Sequence, residues 1–330
     1  MLLPTKYPLK NCFKEFFSAI LLSLMLLSCS EKLEILPETD PALPPIDTKA
    51  DRLQALKELR VLAIGNSYTW DATSYINTIA DSTGMDKKRF CIYIMTSSGA
   101  SLSHWSEVYT SHSTDSIYRI AGDMTMHVTK GSLNEIFKQP WDVIVFQQFS
   151  GEAYNYDTYN PYLKTLTTAA RQHCTNDSVL LAWHMIHSYG QRYSGSSERS
   201  RGYWRKIVQA AWNVMSNDDM DLIIPSGTAI QNARLSSLNT SHELTRDGSH
   251  LAYGIGRYVS ACTWVESLLS PMFGIPVLDK KCTHTITSEE YQDANNIYDD
   301  SCVPVNDKNW RLCQQCAHYA CLSPYMITDL

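Results

Sequence analysis

A chain of 330 residues, 44% of them hydrophobic and 19% charged, can bury a substantial core, which excludes a disordered or low-complexity protein. The formal net charge of -6 and the lack of any Lys/Arg run argue against a nucleic-acid partner. The length suits one catalytic domain with elaborations better than two domains.

The N-terminus reads as a targeting segment. Lys6, Lys10 and Lys14 precede an apolar run from Phe16 to Leu27, which is short for a membrane span and right for a signal-peptide core. The run ends in Leu26-Leu27-Ser28-Cys29, which resembles a bacterial lipoprotein cleavage box. In that box Cys29 becomes the lipidated first residue; an ordinary signal peptide with an incidental cysteine is the alternative. Residues 30–55 are rich in Pro and acidic residues without a clear period, and read as a flexible tether. The folded domain is expected over residues 56–330, exported and held at a membrane, expected to be the outer membrane, by the N-terminal lipid.

Strand-like runs follow at 60–65, 89–95, 141–148, 178–186 and 221–226. They are apolar on both faces, as buried parallel strands are. Helix-like segments lie between and after them, at 71–83, 157–174, 199–217 and 251–270. In the last, Tyr258, Val259, Cys262, Val265 and Leu269 recur at helical spacing. The alternation predicts an α/β doubly wound sheet, with sites at the carboxyl ends of the strands. Region 100–140, rich in Ser, Thr and His, is expected to form an insertion beside the site. Residues 271–330 read as a C-terminal extension closed by one helix.

Of ten cysteines, Cys12 and Cys29 belong to the targeting segment. Cys91 and Cys262 fall in apolar runs and read as buried thiols. Cys302, Cys313, Cys316 and Cys321 include a CxxC, but the stretch looks helical and has no second well-spaced pair. They read as core or disulfide cysteines rather than a zinc site.

Chemistry points to VLAIGNSYTWDA, residues 61–72. A buried strand exits through Gly65-Asn66-Ser67, where Gly65 suits a tight turn and Asn66 can stabilise it through its side chain. Ser67 is either a helix N-cap or a nucleophile held at a strand end. A serine needs a base, and TRDGSHLAYGIGRY places Asp247 three residues before His250. Asp247 can hold Nδ1 of His250 while Nε2 faces Ser67. The alternative is that Asp247 and Ser249 cap the following helix. His104, His184 and His187 have no acidic partner so well placed.

Together, Ser67 in GNSYT and Asp247 and His250 in DxxH resemble the SGNH, or GDSL-like, hydrolase superfamily. The match is closest to a bacterial branch known only as a domain of unknown function. SSGASLSHW, VIVFQQFSG, IPSGTAIQNAR and GRYVSACTW extend it in order over most of residues 60–270. The resemblance implies a three-layer α/β/α fold of flavodoxin type, with Ser67 as nucleophile, His250 as base and Asp247 as its orienter. It implies an oxyanion hole from the Ser67 N–H, from Gly99 and from a side-chain amide. The superfamily uses Asn for that amide; here Gln147 and Gln148 stand in its place, and Gln147 aligns better. No metal or organic cofactor is implied.

The expected activity is that of an exported serine esterase acting on short acyl esters, acetyl foremost, of carbohydrate. A lipid or general short-chain esterase, or a glycan-binding lipoprotein without turnover, is the alternative. The loops SSGASLSHWSEVYTSHS, FSGEAYNYDTYN and HSYGQRYSGSS mix Tyr and Trp with Ser and Asn, which suits sugar rings better than an acyl tail. The same aromatics could instead pack into their own loops.

Overall fold

Five apolar runs form parallel strands: β1 (Leu59–Gly65), β2 (Phe90–Thr96), β5 (Val143–Phe146), β6 (Leu180–His184) and β7 (Leu222–Ile224). The computed structural model describes residues 48–294 and 300–330. The parallel strands lie in the order β2-β1-β5-β6-β7, the flavodoxin-type order. Both faces of the sheet are covered. Val61 and Ala63 of β1 pack with Ile76, Ile79, Tyr258 and Trp264; Leu62 and Ile64 pack with Trp105, Leu163, Leu166 and Trp204. The result is a three-layer α/β/α domain, and double burial explains why β1 reads as a continuous apolar run.

Region 100–140 is more regular than an inserted loop. After the helix Leu102–Thr110 it forms β3 (Thr114–Ala121) and β4 (Lys130–Ser132), then the helix Leu133–Phe137. β3 pairs antiparallel with β2, and β4 with β3, so the segment widens the sheet to seven strands. β3 buries only Ile117 and Ala121, so it lacks the apolar run by which the other strands show themselves.

Of the helix boundaries that differ from expectation, two bear on the site. The helix expected at 71–83 starts at Ser67 and divides into Ser67–Thr73 and Ile76–Thr83. At the break, Thr73 and Ser74 hydroxyls donate back to Thr69 and Trp70 carbonyls, competing with the helical ladder. The helix expected from 251 starts at Ile255 and runs to Trp264, with a π turn over Val265–Leu269. The residues before it form a tight loop closed by Arg246 N–H to His250 O, 2.9 Å, and by a bridge between Thr245 and Leu251.

At the N-terminal side the domain begins earlier than 56. Lys49 N–H donates to Asp221 O at 3.0 Å, and Leu53 of the short helix Asp51–Gln54 is buried in the core. The lipidation position Cys29, and the tether as far as 47, lie outside the described residues. At the other end, Cys302–Val303 pairs with Tyr253–Gly254, and the closing helix Trp310–Leu322 buries Cys313, Cys316, Ala317 and Ala320. All eight described cysteines are free thiols, so the C-terminal ones are not paired as disulfides; Cys91 and Cys262 are buried as expected.

Candidate active site

β1 ends at Gly65, and Asn66 caps the next helix. Its Oδ1 accepts from Tyr68 N–H at 3.0 Å, and its Nδ2 donates to Ala100 O at 2.9 Å, tying the turn after β2 to this point. Ser67 is therefore the first helical residue rather than the cap, with its hydroxyl at the carboxyl edge of the sheet. Gly65 serves close approach rather than turning. A Cβ there would collide with Thr69 Oγ1 and sit 3.1 Å from Gln147 Cδ.

The loop 245–251 brings up the partners. His250 Nε2 lies 2.9 Å from Ser67 Oγ, and His250 Nδ1 donates to Asp247 Oδ2 at 2.6 Å. Asp247 Oδ1 accepts from Ser249 N–H at 2.8 Å and His250 N–H at 2.7 Å, so the carboxylate also closes the turn. Gly248 takes φ +93°, which a side chain would strain. Asp247 and Ser249 thus shape the loop and do not cap the helix, which starts at Ile255. Burial alone would raise the Asp247 pKa; the bonds from His250 and Ser249 outweigh it and hold the carboxylate well below its ordinary range. A serine hydroxyl on an imidazole whose far nitrogen is held by a carboxylate can lose its proton to that imidazole.

Three buried residues clamp this loop, and the sequence reading assigned none of them this part. Asp71 accepts from Leu251 N–H at 3.0 Å and from Arg246 Nη1 at 2.8 Å, and pairs with Arg257 Nη2 at 2.6 Å. Burial would raise its pKa, but Arg257 and Arg246 prevail and keep it ionised. Tyr68 OH is hydrogen-bonded to Ser249 Oγ at 2.9 Å. The His187 ring stacks on Tyr68 at 4.4 Å, and its Nε2 donates to Ser249 O at 2.8 Å. Asp71 follows Ser67 by one helical turn, which was the only sequence signal for its role.

Burial pushes both His184 and His187 down to about 3, so they are neutral hydrogen-bonding groups and not bases. Unfolded imidazoles take up protons below a pH of about 6.5, while these two stay neutral until about 3. The unfolded state then binds more protons. Their stabilisation is complete above about pH 6.5 and is lost progressively toward about pH 3, by up to about 1.4 kcal/mol per pH unit per histidine. Denaturant midpoints between about pH 7 and about pH 5, where carboxylates are silent, check this. The midpoint should fall less in His187→Gln than in the wild type over this range; equal falls would mean that the His187 ring titrates when folded.

The expected oxyanion donors separate. The Ser67 N–H has no acceptor among the described residues. Gly99, at φ +63°, occupies the Ser97–Ala100 turn after β2, and its N–H is likewise without one. Gln147 Oε1 accepts from Thr69 Oγ1 and from His184 Nδ1, the latter at 3.3 Å, while His184 Nε2 accepts from Ser226. That fixes the amide, and Gln147 Nε2 is buried with no partner among the described residues. Gln148 anchors loops instead. Its Oε1 accepts from Leu102 and Phe149 N–H, each at 2.9 Å, and its Nε2 donates to Thr158 Oγ1 at 3.2 Å. Gln147 therefore keeps an unpaired amide nitrogen among the described residues, and Gln148 does not.

Ser67 opens into a cleft of ≈ 530 Å³ lined by Trp70, Thr96, Ser98, Tyr253 and Glu289, with Arg246 and Arg257 among its other walls. Trp70, 43% exposed, meets the exposed Tyr118 of β3 edge-on at 6.3 Å, so region 100–140 does reach the site. The loop aromatics divide. Trp105 and Tyr159 are buried in the core, whereas Tyr154 and Tyr193 face outward. His104, on its own helix, takes no part in the Ser67–His250–Asp247 contacts. No group of three or more His, Cys, Asp or Glu among the described residues is placed to hold a metal ion.

A crystal structure of a DUF4886 family protein from Bacteroides uniformis superposes with a TM-score of 0.66 at 26% identity, covering 83% of this chain and 98% of that one. Two other solved structures match at lower similarity. TesA gives a TM-score of 0.39 at 10% identity, over 64% of this chain and 97% of that one. The lipase Lip_vut3 from a goat rumen metagenome gives 0.38 at 12%, with the same coverage. No curated protein matches. The model of one family, described as a domain of unknown function (DUF4886), matches residues 60–300, which takes in β1, the Ser67 turn and the 245–251 loop, and the chain belongs to that family.

Proposed function

We propose that this protein is an exported serine esterase that removes short acyl groups, acetyl foremost, from hydroxylated carbohydrate. The observation that carries this reading is the Ser67–His250–Asp247 chain of contacts, 2.9 and 2.6 Å, beside a cleft lined by aromatic rings and by hydroxyl and charged side chains. Ser67 Oγ attacks the ester carbonyl and its proton passes to His250 Nε2. The tetrahedral oxyanion is held by the N–H groups of Ser67 and Gly99 and by Gln147 Nε2. Collapse expels the alcohol, which takes the proton from Nε2. Water then attacks the acyl-enzyme by the same route and releases the acid. The order of the GNSYT and DxxH motifs, as in SGNH hydrolases, supports the same reading. The LLSC stretch supports export and anchoring through a lipid on Cys29; mass analysis of the mature N-terminus decides that part.

The lining of the cleft supports a small acyl group on a polar alcohol. No Leu, Ile, Val, Met or Phe lines it among the described residues. A long acyl chain needs apolar contact along its length, about 0.8 kcal/mol per buried methylene. The expected kcat/KM order is therefore acetyl, then butyryl, then octanoyl esters of one alcohol. Octanoyl faster than acetyl would move the protein to the lipid esterases. Binding of glycan with no turnover of any ester would make it a binder.

A further inference from the structure

A second surface packs against the 245–251 loop. A Cβ on Gly248, between Asp247 and His250, would sit 2.7 Å from the Tyr193 ring and 2.8 Å from Arg192 Cβ. Tyr193 is 64% exposed and its ring lies 5.5 Å from that of Tyr189. Tyr154, 37% exposed, lies 5.1 Å from Tyr203. The two pairs share one surface. The Tyr189 phenol is raised first by burial, and Tyr154, Tyr193 and Tyr203 around it add to the rise.

The same surface is basic. The sequence reading saw no basic patch, because the charges are interleaved with neutral residues along a helix. In Ser197–Asn217, the exposed Arg199, Arg205 and Lys206 fall within one stretch against Glu198. Arg199 and Arg205 line an open hollow of ≈ 590 Å³ with Glu198, Gly195, Ser196 and Gly202. Gly195 follows Tyr193 by two residues, and a Cβ on it would lie 3.2 Å from Arg199 Nη1. Exposed tyrosines and arginines thus adjoin one another beside the His250 loop, in a chain whose formal net charge is -6.

We propose that this tyrosine–arginine surface binds an acidic carbohydrate chain and feeds its acyl esters to Ser67. The proposal rests on the serine-esterase reading for the second clause and on the surface alone for the first. Sugar rings stack on phenol faces, their hydroxyls bond the phenol oxygens, and ring carboxylates pair with guanidinium forks. A lipid would find no continuous apolar face here. The contact with Gly248 sets the edge of the surface against the loop that carries Asp247 and His250, which is what ties binding here to the ester at Ser67.

The test compares acetylated polygalacturonate, acetylated xylan and p-nitrophenyl acetate as substrates of the full chain and of Arg199→Glu and Tyr154→Ala. The ratio of kcat/KM on the acidic polymer to that on p-nitrophenyl acetate should drop roughly tenfold in each variant. The wild-type rate on the acidic polymer should fall with added salt, as exposed charge pairs are screened. Equal rates on acidic and neutral polymers, with no salt dependence, would overturn the proposal. Retention of wild type by unacetylated polygalacturonate in affinity electrophoresis needs no turnover. If it is seen and is lost in Arg199→Glu while no ester is hydrolysed, the surface stands and the esterase reading falls. Absence of retention would overturn the surface itself.

Discussion

Ser67→Ala should lower kcat on acetyl esters by something on the order of a millionfold, as loss of a serine nucleophile does where the base acts only through it. Among the described residues the hydroxyl makes one hydrogen bond, to His250 Nε2, so its removal deletes the reacting atom and little else. Asn66 still caps the helix through Tyr68 N–H, and Ala is well tolerated at its first position. Stability should stay within about 0.5 kcal/mol of wild type. The check is the rate of a scrupulously purified variant beside its denaturation midpoint. Turnover within tenfold of wild type, with the fold intact, would remove Ser67 from the mechanism.

The second large effect is expected from Asp247→Asn, about ten thousandfold in kcat. Asp247 has two functions carried by different oxygens. Oδ1 accepts the backbone N–H groups of Ser249 and His250, and Oδ2 accepts from His250 Nδ1. An asparagine keeps one oxygen for the turn and presents an NH2 to Nδ1. That selects the imidazole tautomer protonated on Nε2, which cannot take the Ser67 proton. The loop is also held by Asp71, Tyr68 and His187, so the backbone should stay in place. Asp247→Ala removes both functions and should cost stability as well. A kcat for Asp247→Asn within tenfold of wild type, at an unchanged denaturation midpoint, would show that Asp247 only shapes the loop.

Much of the architecture was legible because its signals are local. β1, β2, β5, β6 and β7 are buried on both faces, so each reads as an uninterrupted apolar run whatever surrounds it. β3 packs one face only, and its exposed positions hid it among polar residues. Ser67 stood out because a hydroxyl follows a strand through Gly and Asn. Asp247 and His250 stood out because three residues on a Gly-containing turn let a carboxylate meet an imidazole. The folded structure brings these three side chains together across a separation of 183 residues.

What the sequence by itself determined is the order of the elements, the pattern of burial and the short motifs, since periodicity and turn chemistry are set within a few residues. What only the tertiary structure decided are the partners. Gln147 and Gln148 are adjacent and chemically identical; packing gave one of them Thr69 and His184 on its oxygen and left its nitrogen unpaired, and gave the other two backbone N–H groups and Thr158. Asp71 reads as one acidic residue in a helix until its carboxylate meets Arg246, 175 residues away, and Arg257, 186 away. Gly65 reads as a turn residue until Gln147 and Thr69 are seen against it. Each of these depends on which distant group fills the space beside a buried polar atom, and a buried polar atom must be paired by whatever the fold brings to it.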